Sequence, residues 1–217
     1  QACAALWNLV ADHQENQAEA DELNITEKVC EVLETHAADE EVLENAFGAI
    51  SNLASFNPNN KQAVINVNGA ASICQGMKEH LTVTAVQRQG CAALWSLTAN
   101  NEAAQVGAFE ANAMGTICRA MASELMDPIL QESGCGVLRN LTANHDEYKV
   151  PAIQAGCAER VCEALGRHED VRVRRQACSV LFNLASVPTK DIEECHHELV
   201  QADAVSRLCL AISSHIK

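Results

Sequence analysis

The sequence predicts an all-α protein, a right-handed α-solenoid of about five three-helix units. Three observations predict it: one motif recurs at a fixed interval, a second motif keeps the same interval, and the composition suits close-packed helices. The 217 residues are 48% hydrophobic but only 3% aromatic. Ala, Leu and other small residues dominate where a β-sandwich would carry more Val, Ile, Thr, Tyr and Phe. That hydrophobic content excludes a disordered chain.

The first motif is QACAALWNLV from Gln1, NAFGAISNLA from Asn45, QGCAALWSLT from Gln89, SGCGVLRNLT from Ser133 and QACSVLFNLA from Gln176. Its central polar residues, Asn8, Asn52, Ser96, Asn140 and Asn183, are spaced 44, 44, 44 and 43 apart. The second motif is VCEVL at Val29, ICQGM at Ile73, ICRAM at Ile117, VCEAL at Val161 and LCLAI at Leu208. Its cysteines are spaced 44, 44, 44 and 47 apart. Two independent ladders with one period mark an internal repeat.

Each unit has room for three helices, and the second unit serves as the pattern. A short first helix is expected over 61–67, then a sharp turn at Gly69. A second helix is expected over 70–78, with Ile73, Cys74 and Met77 on one face. A longer third helix over 83–98 turns Cys91, Leu94 and Leu97 inward. Asp127-Pro128 reads as the N-cap and first position of another third helix. Pro151 falls inside a first helix and is expected to shorten or kink it. The wider final spacing is read as a loop insertion over 188–197, from Pro188 to His197. The chain opens on Gln1 within a third-helix motif and closes near Ile216 after a second helix, without obvious polar caps. It therefore reads as a single solenoid, 1–217, cut from a longer protein.

The run of small residues, Leu, polar, Asn, Leu in ALWNLV, AISNLA, VLRNLT and VLFNLA resembles the third-helix motif of armadillo repeats. The stretch Ala152 to Gly156 resembles that family's helix-to-glycine junction. A period of 44 suits armadillo and HEAT units alike; the asparagines favour the former. The resemblance covers nearly the whole chain. It implies a protein-interaction scaffold or adaptor, whose third helices line a concave groove that holds an extended peptide or a partner helix. Asn amides suit backbone gripping because each both donates and accepts. By resemblance the candidates are Asn8, Asn52, Asn140 and Asn183, with Ser96 breaking the ladder at its middle rung. Trp7, Trp95, Arg139 and Phe182 occupy the position just before and would set side-chain preference. Nuclear-import adaptors of this family carry a Trp one turn before the Asn. Here Ala4, Gly48, Ala92, Gly136 and Ser179 stand there, which would leave a wide, shallow groove or admit a bulky partner side chain. The asparagines could instead bond the backbone of a neighbouring repeat. The alternative function is then an architectural segment of a larger regulatory, cytoskeletal or ciliary protein, with no peptide ligand of its own.

The formal charge is −14, without the basic footprint that nucleic-acid binding needs. Acid concentrates in residues 12–22, 39–44 and 191–198, assigned to loops and outer helices. Glu44, Arg88, Glu132 and Arg175, closer to the groove, are mixed in sign. Nine of the eleven cysteines sit at two inward phases: Cys3, Cys91, Cys135 and Cys178, then Cys30, Cys74, Cys118, Cys162 and Cys209. Buried free thiols are expected there, in a reducing intracellular compartment, cytoplasm or nucleus. Cys157 and Cys195 fall outside the pattern. Cys195-His196-His197, beside Glu193 and Glu194, is the one local cluster of metal-ligand types, but adjacent residues rarely ligate one ion. His36, His80, His168 and His215 recur at the end of the second helix, where histidine suits a helix C-terminus. No phosphate loop, H-E-x-x-H or G-x-S-x-G motif occurs, so neither catalysis, cofactor nor metal is expected. No apolar run reaches membrane-spanning length. The expected partner is a protein or peptide, not nucleic acid or membrane, and the segment is expected to be monomeric.

Overall fold

Helix starts and stops are written into each repeat, and they divide it in three. The computed structural model describes residues 1–187 and 192–215, without the side chains of Glu194, Ser214 and His215. Every regular element among these residues is an α-helix. A third-type helix α1 (Ala2–Leu9) comes first. Three-helix repeats follow: α2 (Gln14–Glu22), α3 (Ile25–Thr35) and α4 (Glu40–Ala54), then α5 (Pro58–Asn66), α6 (Gly69–Glu79) and α7 (Thr84–Thr98). The next are α8 (Glu102–Glu110), α9 (Ala113–Ser123) and α10 (Pro128–Ala143), then α11 (Asp146–Gln154), α12 (Cys157–Arg167) and α13 (Val171–Ala185). The last pair is α14 (Ile192–Gln201) and α15 (Ala204–His215).

Side-chain oxygens close the exposed amides at several helix starts. Asp39 accepts from the amides of Glu41 and Val42, Asn57 from Asn60 and Asn101 from Ala104. Asp127 accepts from Ile129 and Leu130, with Pro128 at the first helical position, as the sequence predicts. The turn between first and second helices uses one left-handed residue per repeat: Asn24, Asn68, Asn112, Gly156 and Asp203, with φ from 51° to 84°. Asn, Asp and Gly are the residues that tolerate this conformation. Gly69 is therefore not the turn. It is the first residue of α6, and a Cβ there would lie 2.5 Å from Val64 Cγ1, so glycine is required by space.

Three other expectations are corrected. α11 is not shortened by Pro151, since it keeps the nine residues of α5 and α8. The proline removes one backbone bond, while Ala155 N–H to Pro151 O and Gly156 N–H to Ile153 O still close the last turn. Ile192 to His197 belong to α14 rather than to a loop; residues 188–191 of that segment, and Ile216, lie outside the described residues. The acidic residues 40–44 lie on α4, a third helix, where Glu40 and Glu41 favourably face its N-terminal dipole.

The contacts group the chain into two compact halves, Gln1–Thr116 and Ile117–Lys217. In the first, α4 packs along both α1 and α7, around Leu43, Phe47, Ile50, Leu53, Ile73, Met77, Leu94 and Leu97, all essentially without exposure. In the second, α10 packs along α13, with Ile117, Met121, Leu130 and Leu138 fully buried.

Buried helix ends leave carbonyls that need donors, and the repeats supply them in register. Gln87 Nε2 donates to Met77 O and His80 O at 2.9 Å. Gln131 Nε2 donates to Met121 O and Glu124 O at 2.8 and 3.0 Å, and Arg174 Nε to His168 O at 2.8 Å. Each reaches from a third helix to the C-terminal end of the second. First helices close the ends of third helices in the same way. Gln17 Nε2 donates to Val10 O, Gln105 Nε2 to Thr98 O, Lys61 Nζ to Ala99 O and Lys149 Nζ to Ser186 O. The recurring histidines also serve structure. His80 Nε2 lies 2.8 Å from Ala37 O and His168 Nε2 lies 2.9 Å from Leu125 O. The His215 side chain lies outside the described residues.

Glycine on the third helix lets the second helix approach. A Cβ on Gly90 would fall 2.5 Å from Met77 Cγ, and one on Gly134 would fall 2.8 Å from Met121 Cγ. Gly90→Ala is expected to lower stability by about 1–3 kcal/mol through overpacking, although Ala is the better helix former. Thermal unfolding followed by circular dichroism checks this, and a raised midpoint would show that Met77 yields.

Candidate functional site

The polar residues of the ladder lie where their spacing puts them, on α1, α4, α7, α10 and α13, but they do different things. Asn8 is exposed, and its Nδ2 donates only to Ala4 O of its own helix at 3.1 Å. Asn52 is half-buried and its Nδ2 donates to Trp7 O at 3.0 Å. Asn183 Nδ2 donates to Arg139 O and Thr142 Oγ1, both at 3.2 Å. Asn140 is buried, and its Oδ1 accepts from Arg139 at 3.1 Å. Ser96 Oγ lies 3.2 Å from Ser51 Oγ and 3.3 Å from Ser55 Oγ. Three rungs, Asn52, Ser96 and Asn183, therefore tie one third helix to the third helix before it.

The large side chains before the rungs also divide. Trp7 is half-buried, and a Cβ on Gly48 would fall 2.5 Å from two of its indole carbons. The space that the small residue at 48 creates is filled from within the chain, not left as an open groove. Trp95 is half-buried and lines a pocket of about 460 Å³ with Phe56, Pro58, Lys61, Ser96 and Asn101. Arg139 is half-buried, while Phe182 is 72% exposed. Both line a pocket of about 380 Å³ with Ala143, Cys178, Ser179 and Asn183. The first half thus gathers Asn8, Asn52, Ser96, Trp7 and Trp95, and the second gathers Asn140, Asn183, Arg139 and Phe182.

Residues 145–186, spanning α11 to α13, match the family model described as Armadillo/beta-catenin-like repeat. The chain also superposes on an engineered protein of a structural-genomics consortium with a TM-score of 0.80 at 25% identity, covering 95% of this chain and 81% of that one. This chain carries the armadillo-repeat fold. Two further structures are similar. One is a designed armadillo repeat protein in complex with the peptide (KR)4, with TM-score 0.78, 19% identity, and coverage of 95% and 82%. The other is a computationally designed armadillo repeat protein for modular peptide recognition, with TM-score 0.78, 21% identity, and coverage of 95% and 82%. No curated protein matches the sequence.

Within the armadillo repeats, Phe56 escaped the sequence reading. It follows α4 with φ +58° and is 95% exposed. The equivalent positions hold Asp12 and Asn100, with φ 51° and 53°, residue types that suit this conformation as Phe does not. The signal was available as a 44-residue ladder of Asp, Phe and Asn. Lys61 is the other omission. It is buried, which lowers the pKa of its ammonium, and its bond to Ala99 O beside Trp95 is structural.

Most armadillo cysteines are buried free thiols, Cys157 and Cys195 included. Cys209 is exposed and Cys3 and Cys178 are half-buried, which corrects the assignment of all nine to a buried phase. Cys118 and Cys157 lie 3.4 Å apart, sulfur to sulfur. Cys195 is buried while the neighbouring His196 is exposed. Among the described residues no three His, Cys, Asp or Glu side chains converge as metal ligands, and no helix is long and apolar enough to cross a membrane.

Phe56→Asn is expected to raise stability by about 1 kcal/mol, because it relieves left-handed strain and removes almost no buried surface; denaturant unfolding reads the change. Burial, then Glu27 and Glu34, push the Cys30 thiol up to about 12. Below about pH 8.5 the thiol is neutral in both folded and unfolded chains. Above that, the unfolded chain ionises first, so stability falls as pH rises toward 12. Unfolding midpoints measured from pH 8 to 11 should decline, and decline less in Cys30→Ala relative to its own value at pH 8.

Proposed function

We propose that the chain is a protein-interaction scaffold that holds an extended peptide, or a partner's helix, along the face of its third helices. The observation that carries this is the economy of the rungs. Asn8, Asn52 and Asn183 each use amide hydrogen on their own chain, while the carbonyl oxygen Oδ1 makes no bond among the described residues. Each keeps an acceptor for a peptide N–H, and Asn8 and Asn52 keep a second donor hydrogen as well. Designed proteins of the same fold offer support, one bound to the peptide (KR)4 and one made for modular peptide recognition. Trp95, Arg139 and Phe182, each lining a pocket, would choose side chains; Trp7, seated on Gly48, would contribute its outer edge. The reading takes residues 1–217 as a single monomeric solenoid in the cytoplasm or nucleus, acting by binding and not by catalysis.

One observation favours the architectural alternative. The bonds Asn52 to Trp7 O and Asn183 to Arg139 O give the ladder a purpose without any ligand. Asn8 separates the two readings, since its only bond is within its own helix and its loss costs little stability. Peptides selected by the chain from a random linear display library are titrated by calorimetry into the wild type and into Asn8→Ala plus Asn52→Ala. Two lost backbone bonds should weaken affinity about tenfold or more. Unchanged affinity together with a lowered melting temperature would instead make the ladder architectural.

A further inference from the structure

On an acidic chain, the α10–α13 face of the second half holds two guanidinium groups that no carboxylate neutralises among the described residues. Arg172 is not one of them, because it lies 2.8 Å from Asp170 Oδ2 and 3.6 Å from Glu132 Oε2. Arg139 donates only to the neutral Asn140 Oδ1. Arg175 is exposed on α13, one turn before Ser179, whose Oγ donates to the Arg175 carbonyl. The two cations act on each other: burial and then the Arg175 charge lower the pKa of the Arg139 guanidinium. A guanidinium does not escape such repulsion by losing its proton, so both groups stay charged and together attract an anion.

The surroundings restrict what that anion can be attached to. Arg139 shares its pocket with Phe182, 72% exposed, and with Asn183, whose amide bonds the Arg139 carbonyl. Cation, open aromatic ring and backbone-gripping amide thus stand within one pocket of about 380 Å³. At the place that Arg175 holds on α13, α4 carries Glu44, α7 carries Arg88 and α10 carries Glu132, while neutral Trp7, Ser51 and Trp95 hold the place of Arg139 in the first half, so the pairing of the two cations is particular to α10 and α13.

We infer that the α10–α13 face takes an acidic peptide, with a carboxylate at Arg139 and Arg175 and an apolar side chain against Phe182. This rests on the peptide-scaffold reading and gives it a ligand class. Arginine suits a carboxylate because its planar fork can meet both oxygens, and an extended peptide would bring the carboxylate and its apolar neighbour to the same face at alternate residues.

The test uses the intact chain and two labelled probes, (Asp-Glu)4 and (Lys-Arg)4, followed by fluorescence anisotropy. The wild type is expected to bind (Asp-Glu)4 in preference to (Lys-Arg)4 despite its own net charge of −14, and to bind it more weakly as salt is raised. Arg175→Glu changes an exposed residue with no side-chain partner among the described residues, so it leaves the fold intact, and it should weaken (Asp-Glu)4 about tenfold or more. The display library supplies the second arm. Selected peptides rich in Asp and Glu that are lost with Arg175→Glu support the inference. Neutral or basic peptides, insensitive to Arg175→Glu but weakened by Asn8→Ala plus Asn52→Ala, overturn it and leave the scaffold reading standing. A library from which nothing is captured overturns both.

Discussion

Everything in these repeats depends on disposing of backbone carbonyls at buried helix ends. A three-helix repeat ends a helix about every fifteen residues, and each end leaves carbonyls without intrahelical partners. In most folds such ends reach water. Here second and third helices end against neighbouring helices, so the donors must come from side chains. Gln87, Gln131 and Arg174 close the second helices; Gln17, Lys61, Gln105 and Lys149 close the third. These residues are buried or nearly so, and an amide or ammonium left unpaired at such depth would be costly. The polar ladder is as necessary to the fold as the leucines are.

This requirement explains why Gln and Lys alternate at one position. Residues 17, 61, 105 and 149 are all 44 apart. The short Gln amide reaches back to the third helix that precedes it, whereas the longer Lys reaches forward to the third helix of its own repeat. Both solutions satisfy one carbonyl, and the choice alters which helices are tied. Burial disfavours the charged Lys, as the lowered pKa of Lys61 shows, yet the ammonium on a flexible stem spans a distance that Gln does not.

Much of this was legible in the sequence. The repeat, the three-helix division, the third-helix boundaries within a residue and the Asp127-Pro128 start are all set by local chemistry acting at one period. What stayed hidden has a common cause. A 44-residue ladder reports that a position matters, not what it touches. Asn52 and Asn183 read the same whether their amides meet a ligand or the preceding helix, because both partners are backbone carbonyls. Gly69 reads as a turn because glycine serves both flexibility and space, and only packing against Val64 tells which. Gly48 reads as an empty site until Trp7, forty-one residues earlier in sequence, is seen to fill it. Cys209 shares its phase with four buried cysteines and is exposed, since phase fixes a side chain's direction but not whether anything lies there.

In a repeat fold, then, functional residues are better sought where periodic duty has been discharged than where the motif is strongest. Asn140 fits the motif and is buried, whereas Asn8 fits it and keeps most of its hydrogen-bonding capacity. Arg174 and Arg175 are neighbours, yet the first closes a helix end through His168 O and the second closes none among the described residues. Phe56 and Phe182 add almost nothing to the core at 95% and 72% exposure, and Phe56 also carries the strain of a left-handed backbone. A residue that costs stability and contributes no packing points to a role outside the fold. The repeats supply the even spacing, and in the proposed scaffold recognition would rest with the few side chains that the spacing does not consume.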